Sequence, residues 1–254
     1  MKLAEPWAFD SLLPELSTLR AAPVVWPEAG LCLHAAAIEE RGFDRSWFAA
    51  AGIACPERIY EAARRRQAEF FAGRLCAAAA LTEHGCVPAP VGIGPMAAPL
   101  WPAGFTGSIT RTRSVAAAVV LPARGVCGVG INLEEVGAVA ATAGLESIVM
   151  NRGERERLRA VADLDAATAL ALVYAAKRSF FKGVALAVKR YFGFEALELL
   201  SANPAAGRLN FVVREPLTPR FEPGTVWSVA FTRGGGHVLT MFSWRSRLDA
   251  AARR

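Results

Sequence analysis

Arg178 and Lys182 stand four residues apart in Ala166–Arg190, an alanine-rich run that predicts a long helix. At that spacing they share one helix face, with Tyr174 one turn earlier. Such a face is either an ordinary solvated surface or a clamp for an anion, because guanidinium groups bind phosphoryl oxygens in a forked geometry. Arg64, Arg65 and Arg66 are a second cationic group, in a run (Glu57–Leu81) that reads as one helix. Cations opening a helical stretch oppose its macrodipole, so an anion such as a phosphate explains their presence better than helix stability does. Asn132 and Glu134 end a strand-like run, Val126–Leu133, where residues two apart face the same way. Phe180 and Phe181 read as core. His34, His84 and His237 are far apart and in no metal-ligand spacing. Cysteines 32, 55, 76, 86 and 127 are odd in number with no CxxC pair, which predicts reduced thiols rather than disulfides or a zinc site.

The elements that must carry these residues follow from punctuation and periodicity. Prolines 6, 14, 23, 27 and 56 break the first sixty residues into short strands and helices. Pro88–Gly107, rich in proline and glycine, reads as a loop. Ser114–Leu121 is apolar and short, a buried strand, and Pro122–Gly125 turns the chain into Val126–Leu133. Glu154–Ala162 and Ala166–Arg190 read as helices. Leu197–Leu200, Leu209–Val213, Val226–Phe231 and Val238–Trp244 read as strands, the last two joined by a turn at Gly234–Gly236. Strands and helices without strict alternation predict an α+β fold in two lobes, 1–124 and 125–254.

Composition narrows the classes of function. Of 254 residues, 53% are hydrophobic and 20% charged, which is globular and argues against disorder. No apolar stretch is long enough to predict a membrane span, and Met1–Pro6 does not resemble a signal peptide, so a cytoplasmic protein is expected. Of the net charge of +6, residues 1–124 carry +1 and residues 125–254 carry +5. That excess suits a phosphate-bearing ligand or an acidic partner, and it is too dispersed to argue for nucleic acid.

Three blocks in order resemble the 4′-phosphopantetheinyl transferases of the larger, pseudo-dimeric type, the class serving enterobactin and surfactin synthetases. The first is Arg65-Arg66-Gln67-Ala68-Glu69-Phe70-Phe71-Ala72-Gly73-Arg74-Leu75-Cys76-Ala77, followed by Gly94–Pro102 and by Gly107-Ser108-Ile109-Thr110. The second is Gly128-Val129-Gly130-Ile131-Asn132-Leu133-Glu134, and the third Tyr174-Ala175-Ala176-Lys177-Arg178-Ser179-Phe180-Phe181-Lys182-Gly183. The resemblance implies two similar α+β lobes packed as a pseudo-dimer around a groove. It also implies transfer of the phosphopantetheine arm of coenzyme A to a carrier-protein serine. The implied coenzyme-binding residues are Arg64, Arg65, Arg66, Arg74, Ser108, Thr110, Arg111 and Lys177. The implied catalytic residues are Lys182, Glu134, Arg178 and Arg111.

The family holds magnesium with Asp and Glu of Gly-(Ile/Val)-Asp-(Ile/Leu)-Glu and with Glu of Lys-Glu-(Ala/Ser)-x-x-Lys. Here those positions are Asn132, Glu134 and Arg178, and the family's Ser/Thr-His pair is Thr110-Arg111. Two unit charges about 4 Å apart interact by roughly 4 kcal/mol at an effective dielectric of 20, so a cation in a ligand's place turns attraction into repulsion. A weakened or lost metal site at Glu134 and Asn132 is expected. The substitutions favour a diverged paralogue that binds coenzyme A or a carrier-bound pantetheine arm and catalyses another step, such as condensation, cyclisation or release, on a tethered thioester. The alternatives are an active transferase in which arginines take over part of the metal's role, and a non-catalytic carrier-protein binder. Each implies an acidic acyl or peptidyl carrier protein as partner, in polyketide, non-ribosomal peptide, siderophore or fatty-acid synthesis. A monomer is expected, with no nucleic acid and no membrane among its partners.

Overall fold

The computed structural model describes residues 16–26, 31–86 and 90–246, which form an α+β fold of two compact units divided at Cys127/Gly128. The division falls inside a strand, three residues past the expected boundary of 124. Expectations for residues 1–15 and for Pro27 and Pro88 lie outside the described residues.

The first unit carries β1 (Ala22–Trp26), β2 (Leu31–Ala37), α1 (Ser46–Ala50), α2 (Glu57–Tyr60), α3 (Arg64–Glu83), β3 (Gly92–Ile93), β4 (Pro99–Leu100), β5 (Phe105–Arg111) and β6 (Val115–Pro122). Its main sheet has the order β1-β2-β6-β5, every neighbouring pair antiparallel. The stretch expected to be one helix from Glu57 is two, because the chain is extended at Ala63. The Gln67 amide explains the break: it donates to the carbonyls of Tyr60 (2.9 Å) and Ala62 (2.7 Å), holding the turn as backbone donors otherwise would. Small side chains let α3 lie close on the sheet. Its Ala72, Cys76, Ala77, Ala80 and Leu81 pack on Ala36 of β2 and Ala116, Ala118 and Val120 of β6. The expected loop 88–107 instead contains the β3–β4 pair around a single 3-10 turn, and the start of β5.

The second unit begins within β7 (Val126–Glu135) and continues through α4 (Val136–Ala140), α5 (Leu145–Val149), α6 (Arg152–Arg159) and α7 (Ala166–Val188). It ends with β8 (Leu197–Asn203), β9 (Arg208–Val213), β10 (Val226–Gly234) and β11 (His237–Arg245). The sheet order is β7-β11-β10-β9-β8, and α7 packs on β11 and β10. Phe180 of α7 drives that packing, its ring 4.6 Å from that of Phe242 and 5.5 Å from that of Phe221. Gly235 and Gly236 supply the two positive φ values (53° and 76°) of the β10–β11 hairpin turn.

Candidate active site

Strand β7 approaches α7 through residues that have no side chain. A Cβ on Gly128 would collide with the carbonyl oxygen of Gly183, and one on Gly130 with that of Ser179. A Cβ on Gly183 would come within 2.7 Å of the Phe242 ring. The strand's two-residue period continues the same face through Asn132 to Glu134, and the helix's four-residue spacing presents Lys182 and Arg178. Close approach at the glycines therefore brings the polar residues together one pleat further on.

There Lys182 Nζ donates to the Ile131 carbonyl (2.9 Å) and to Asn132 Oδ1 (2.8 Å), and Asn132 Nδ2 donates to Glu134 Oε1 (2.6 Å). Asn132 is buried, and Thr240 Oγ1 reaches both its carbonyl (3.4 Å) and the Ser179 hydroxyl (3.2 Å). Burial pushes the Glu134 carboxyl above its ordinary range, with Glu135 adding to it. The Asn132 hydrogen bond and the charges of Arg178 and Lys182 pull the other way. Arg178 is exposed, its guanidinium over the Tyr174 ring (5.5 Å) and its Nη1 donating to the phenol oxygen (3.3 Å).

These donors do not fit the magnesium that the family motif implies. A hard dication needs several oxygen ligands, carboxylates first. Of the positions expected to hold it, Asn132 offers one oxygen, already accepting from an ammonium; Arg178 offers none; and Glu134 is bonded by an amide and flanked by two cations.

In the first unit, Glu69 gathers three of the expected coenzyme-binding arginines. Its carboxylate lies 2.8 Å from Arg111 Nε, 3.2 Å from Arg65 Nε and 3.4 Å from Arg66 Nη1. Burial opposes that charge, but the hydrogen bonds and charges of Arg111, Arg65 and Arg66 outweigh it and hold the carboxyl below its usual range. Glu40 Oε2 also lies 4.0 Å from Arg65 Nη1, so three half-exposed arginines face two carboxylates and the cluster keeps one positive charge in excess. Arg64 donates only to the Arg41 carbonyl (3.4 Å) among the described residues. Ser108 and Thr110 are buried in β5.

Two expected coenzyme ligands are buried and bonded within the protein. Arg74 is buried over the Phe70 ring (4.5 Å) and donates to the carbonyls of Val91 (2.7 Å) and Gly92 (2.9 Å). Desolvation pushes its guanidinium down to about 10. Lys177 is buried in an ion pair with Glu154 (2.8 Å) and donates to the Val149 carbonyl (2.7 Å). Burial pulls its ammonium below the usual lysine range, against the attraction of Glu154. The partners that the structure gives these two cations are carbonyls and a carboxylate.

Glu69 and Glu154 were not singled out by sequence reasoning. Glu69 carried a legible signal, its i,i+4 and i,i+3 spacing from Arg65 and Arg66. Glu154 carried half of one: with Asn151 it forms a capping box, but its pairing with Lys177 depends on the fold.

Comparison with known proteins gives a consistent family. Residues 56–121 match the model of the 4′-phosphopantetheinyl transferase N-terminal domain. The chain is 33% identical to enterobactin synthase component D of Salmonella typhi over 74% of this chain and 76% of that one. It is 36% identical to the Escherichia coli (strain K12) protein of the same name, over 58% of this chain and 67% of the other. The 4′-phosphopantetheinyl transferase Npt of Nocardia iowensis is 33% identical over 54% of this chain and 60% of its own. The motif blocks, the α+β units and these relatives agree, and the chain belongs to the 4′-phosphopantetheinyl transferase superfamily, larger type.

Proposed function

We propose that this protein transfers the 4′-phosphopantetheine arm of coenzyme A to a serine of a carrier protein. The observation that carries the reading is similarity to named transferases and synthase components that extends through both units. Taken alone, Asn132, Arg178 and Arg111 favour a diverged paralogue. Nothing in the comparisons supports a non-transferase role, so arm transfer takes precedence.

In this reading the serine oxygen attacks the phosphorus on the pantetheine side of the pyrophosphate. That phosphorus–oxygen bond breaks, and 3′,5′-ADP leaves with the electron pair. Glu134 takes the serine proton; burial makes it a stronger base than an exposed carboxylate, as general base catalysis near neutrality requires. Arg178 and Lys182 meet the charge on the phosphoryl oxygens, the largest requirement in phosphoryl transfer. Asn132 holds Lys182 and Glu134 at fixed separation. Arg65, Arg66 and Arg111, with Arg64, Ser108 and Thr110, are assigned to the coenzyme's anionic groups. The partner is an acidic carrier domain, suited to a chain of net charge +6, and the relatives' names point to a siderophore synthase as its source.

Incubation with coenzyme A and an apo carrier protein, read by intact mass, tests the proposal. We expect the carrier to gain one arm with release of 3′,5′-ADP, both with magnesium and with a chelator. An unchanged carrier at equimolar enzyme with magnesium present would overturn arm transfer. Transfer that vanishes with the chelator would leave that reading standing and overturn the account of the donor set.

A further inference from the structure

We propose that Cys32, His34 and Glu83 form a binding site for a dication of the zinc class, separate from the transfer residues. Among the described residues they are the set of three metal-ligating side chains whose donor atoms all lie within 4.8 Å of one another. Cys32 and His34 are two apart on β2 and therefore face the same side of the sheet. That side is the one α3 crosses, through Ala36 of the same strand. Glu83 is the last residue of α3, so packing the helix on the sheet delivers its carboxylate to the pair.

His34 supplies the second observation. It is buried, only 7% exposed, and its Nδ1 has no hydrogen-bond partner among the described residues. Its Nε2 lies 3.6 Å from Glu83 Oε2, beyond a good hydrogen bond. A buried imidazole with no hydrogen bond among the described residues is costly, and an ion is a recognised explanation for such a group. Cys32 Sγ rests 3.6 Å from the Leu33 carbonyl, a weak contact that a metal bond would replace.

The donor set decides the class of ion. One sulfur, one imidazole nitrogen and one carboxylate oxygen suit zinc and its neighbours, whereas magnesium and calcium want oxygen throughout. At zinc bond lengths of about 2.0–2.3 Å, tetrahedral ligands sit roughly 3.3–3.8 Å apart. The half-exposed Glu83 side chain has the freedom to close the remaining distance. Three protein ligands leave a fourth position to water. The bound ion would fasten β2 to the end of α3.

Cobalt(II) titrated into the reduced full-length protein is the probe, because a thiolate ligand gives it a charge-transfer absorption. The expected result is one equivalent bound with that absorption, displaced by zinc. Cys32→Ser should abolish the band, Glu83→Gln should weaken binding by at least about tenfold, and the exposed-thiol control Cys127→Ser should change neither. Glu83→Gln alters a half-exposed side chain and keeps the test decisive if Cys32→Ser fails to fold. No charge-transfer band in the parent, a band that survives Cys32→Ser, or unchanged affinity in Glu83→Gln would each overturn the site.

Discussion

Asn132 is the residue whose chemistry depends most on its two neighbours. An amide has an acceptor and a donor on one plane, and here the acceptor meets the Lys182 ammonium while the donor meets the Glu134 carboxylate. An aspartate in that place could serve Lys182 but would set a second negative charge against Glu134. The bridge leaves Glu134 carrying a charge that burial disfavours, so its carboxyl sits above the ordinary range. A carboxyl raised on folding contributes stability that is fully present below its unfolded value and is lost as pH rises through the folded one. Glu134→Gln keeps the acceptor for Asn132 and removes the charge. At neutral pH its melting temperature should exceed that of the parent, and the gap should close on acidification, as a series of thermal melts would show. The same variant should lose arm transfer, read by carrier mass.

Elements set the position of these side chains through two devices. The first is the glycine seam of β7 and α7, at Gly128, Gly130 and Gly183. Gly130→Ala would place a methyl against the Ser179 carbonyl and the Lys182 side chain, and backbone cannot move aside cheaply. Overpacking of this kind costs about 1–3 kcal/mol or more, so urea unfolding should show a loss in that range together with reduced transfer. The second device is Glu154. Its carboxylate accepts from the backbone N–H of Asn151 (2.8 Å) and of Leu199 (2.7 Å) and pairs with Lys177. It thus joins the start of α6, the strand β8 and the middle of α7. Glu154→Ala would strand the Lys177 ammonium in the core, and breaking a buried pair from one side costs about 3–5 kcal/mol. Equilibrium denaturation should show that loss.

Over the whole molecule the charge balance is lopsided, +6 in total, with +5 of it in residues 125–254. No helix among the described residues is long and apolar enough to cross a membrane. Attraction between a basic protein and anionic reactants acts over about a Debye length, roughly 10 Å at 0.1 M salt and 3 Å at 1 M. Both coenzyme A and an acidic carrier should therefore bind less well as salt rises. The apparent KM for the carrier should climb between low and high ionic strength with kcat changing far less, measured by steady-state transfer assays.

The family, the α+β class and the strands and helices bearing Asn132, Glu134, Arg178 and Lys182 are legible in the amino-acid order alone. Those properties rest on local periodicity and on motif blocks contiguous in the chain. Equally legible are the amide and the guanidinium at positions 132 and 178, where the motif resemblance implies a carboxylate. What each polar group touches is set by the folded packing of the elements. Lys177 and Arg74 read as cations for phosphate, yet their partners, Glu154 and the carbonyls of Val91 and Gly92, lie 17 or more residues away in sequence. Glu57–Leu81 read as a single helix because nothing local marks Ala63 as extended; the Gln67 side chain makes it so. Cys32 and His34 read as unrelated to any metal because their third partner arrives 49 residues later, at the end of a helix. Spacing along a chain reports distance within one strand or helix, while a site is assembled where elements pack, and packing is a property of the folded molecule.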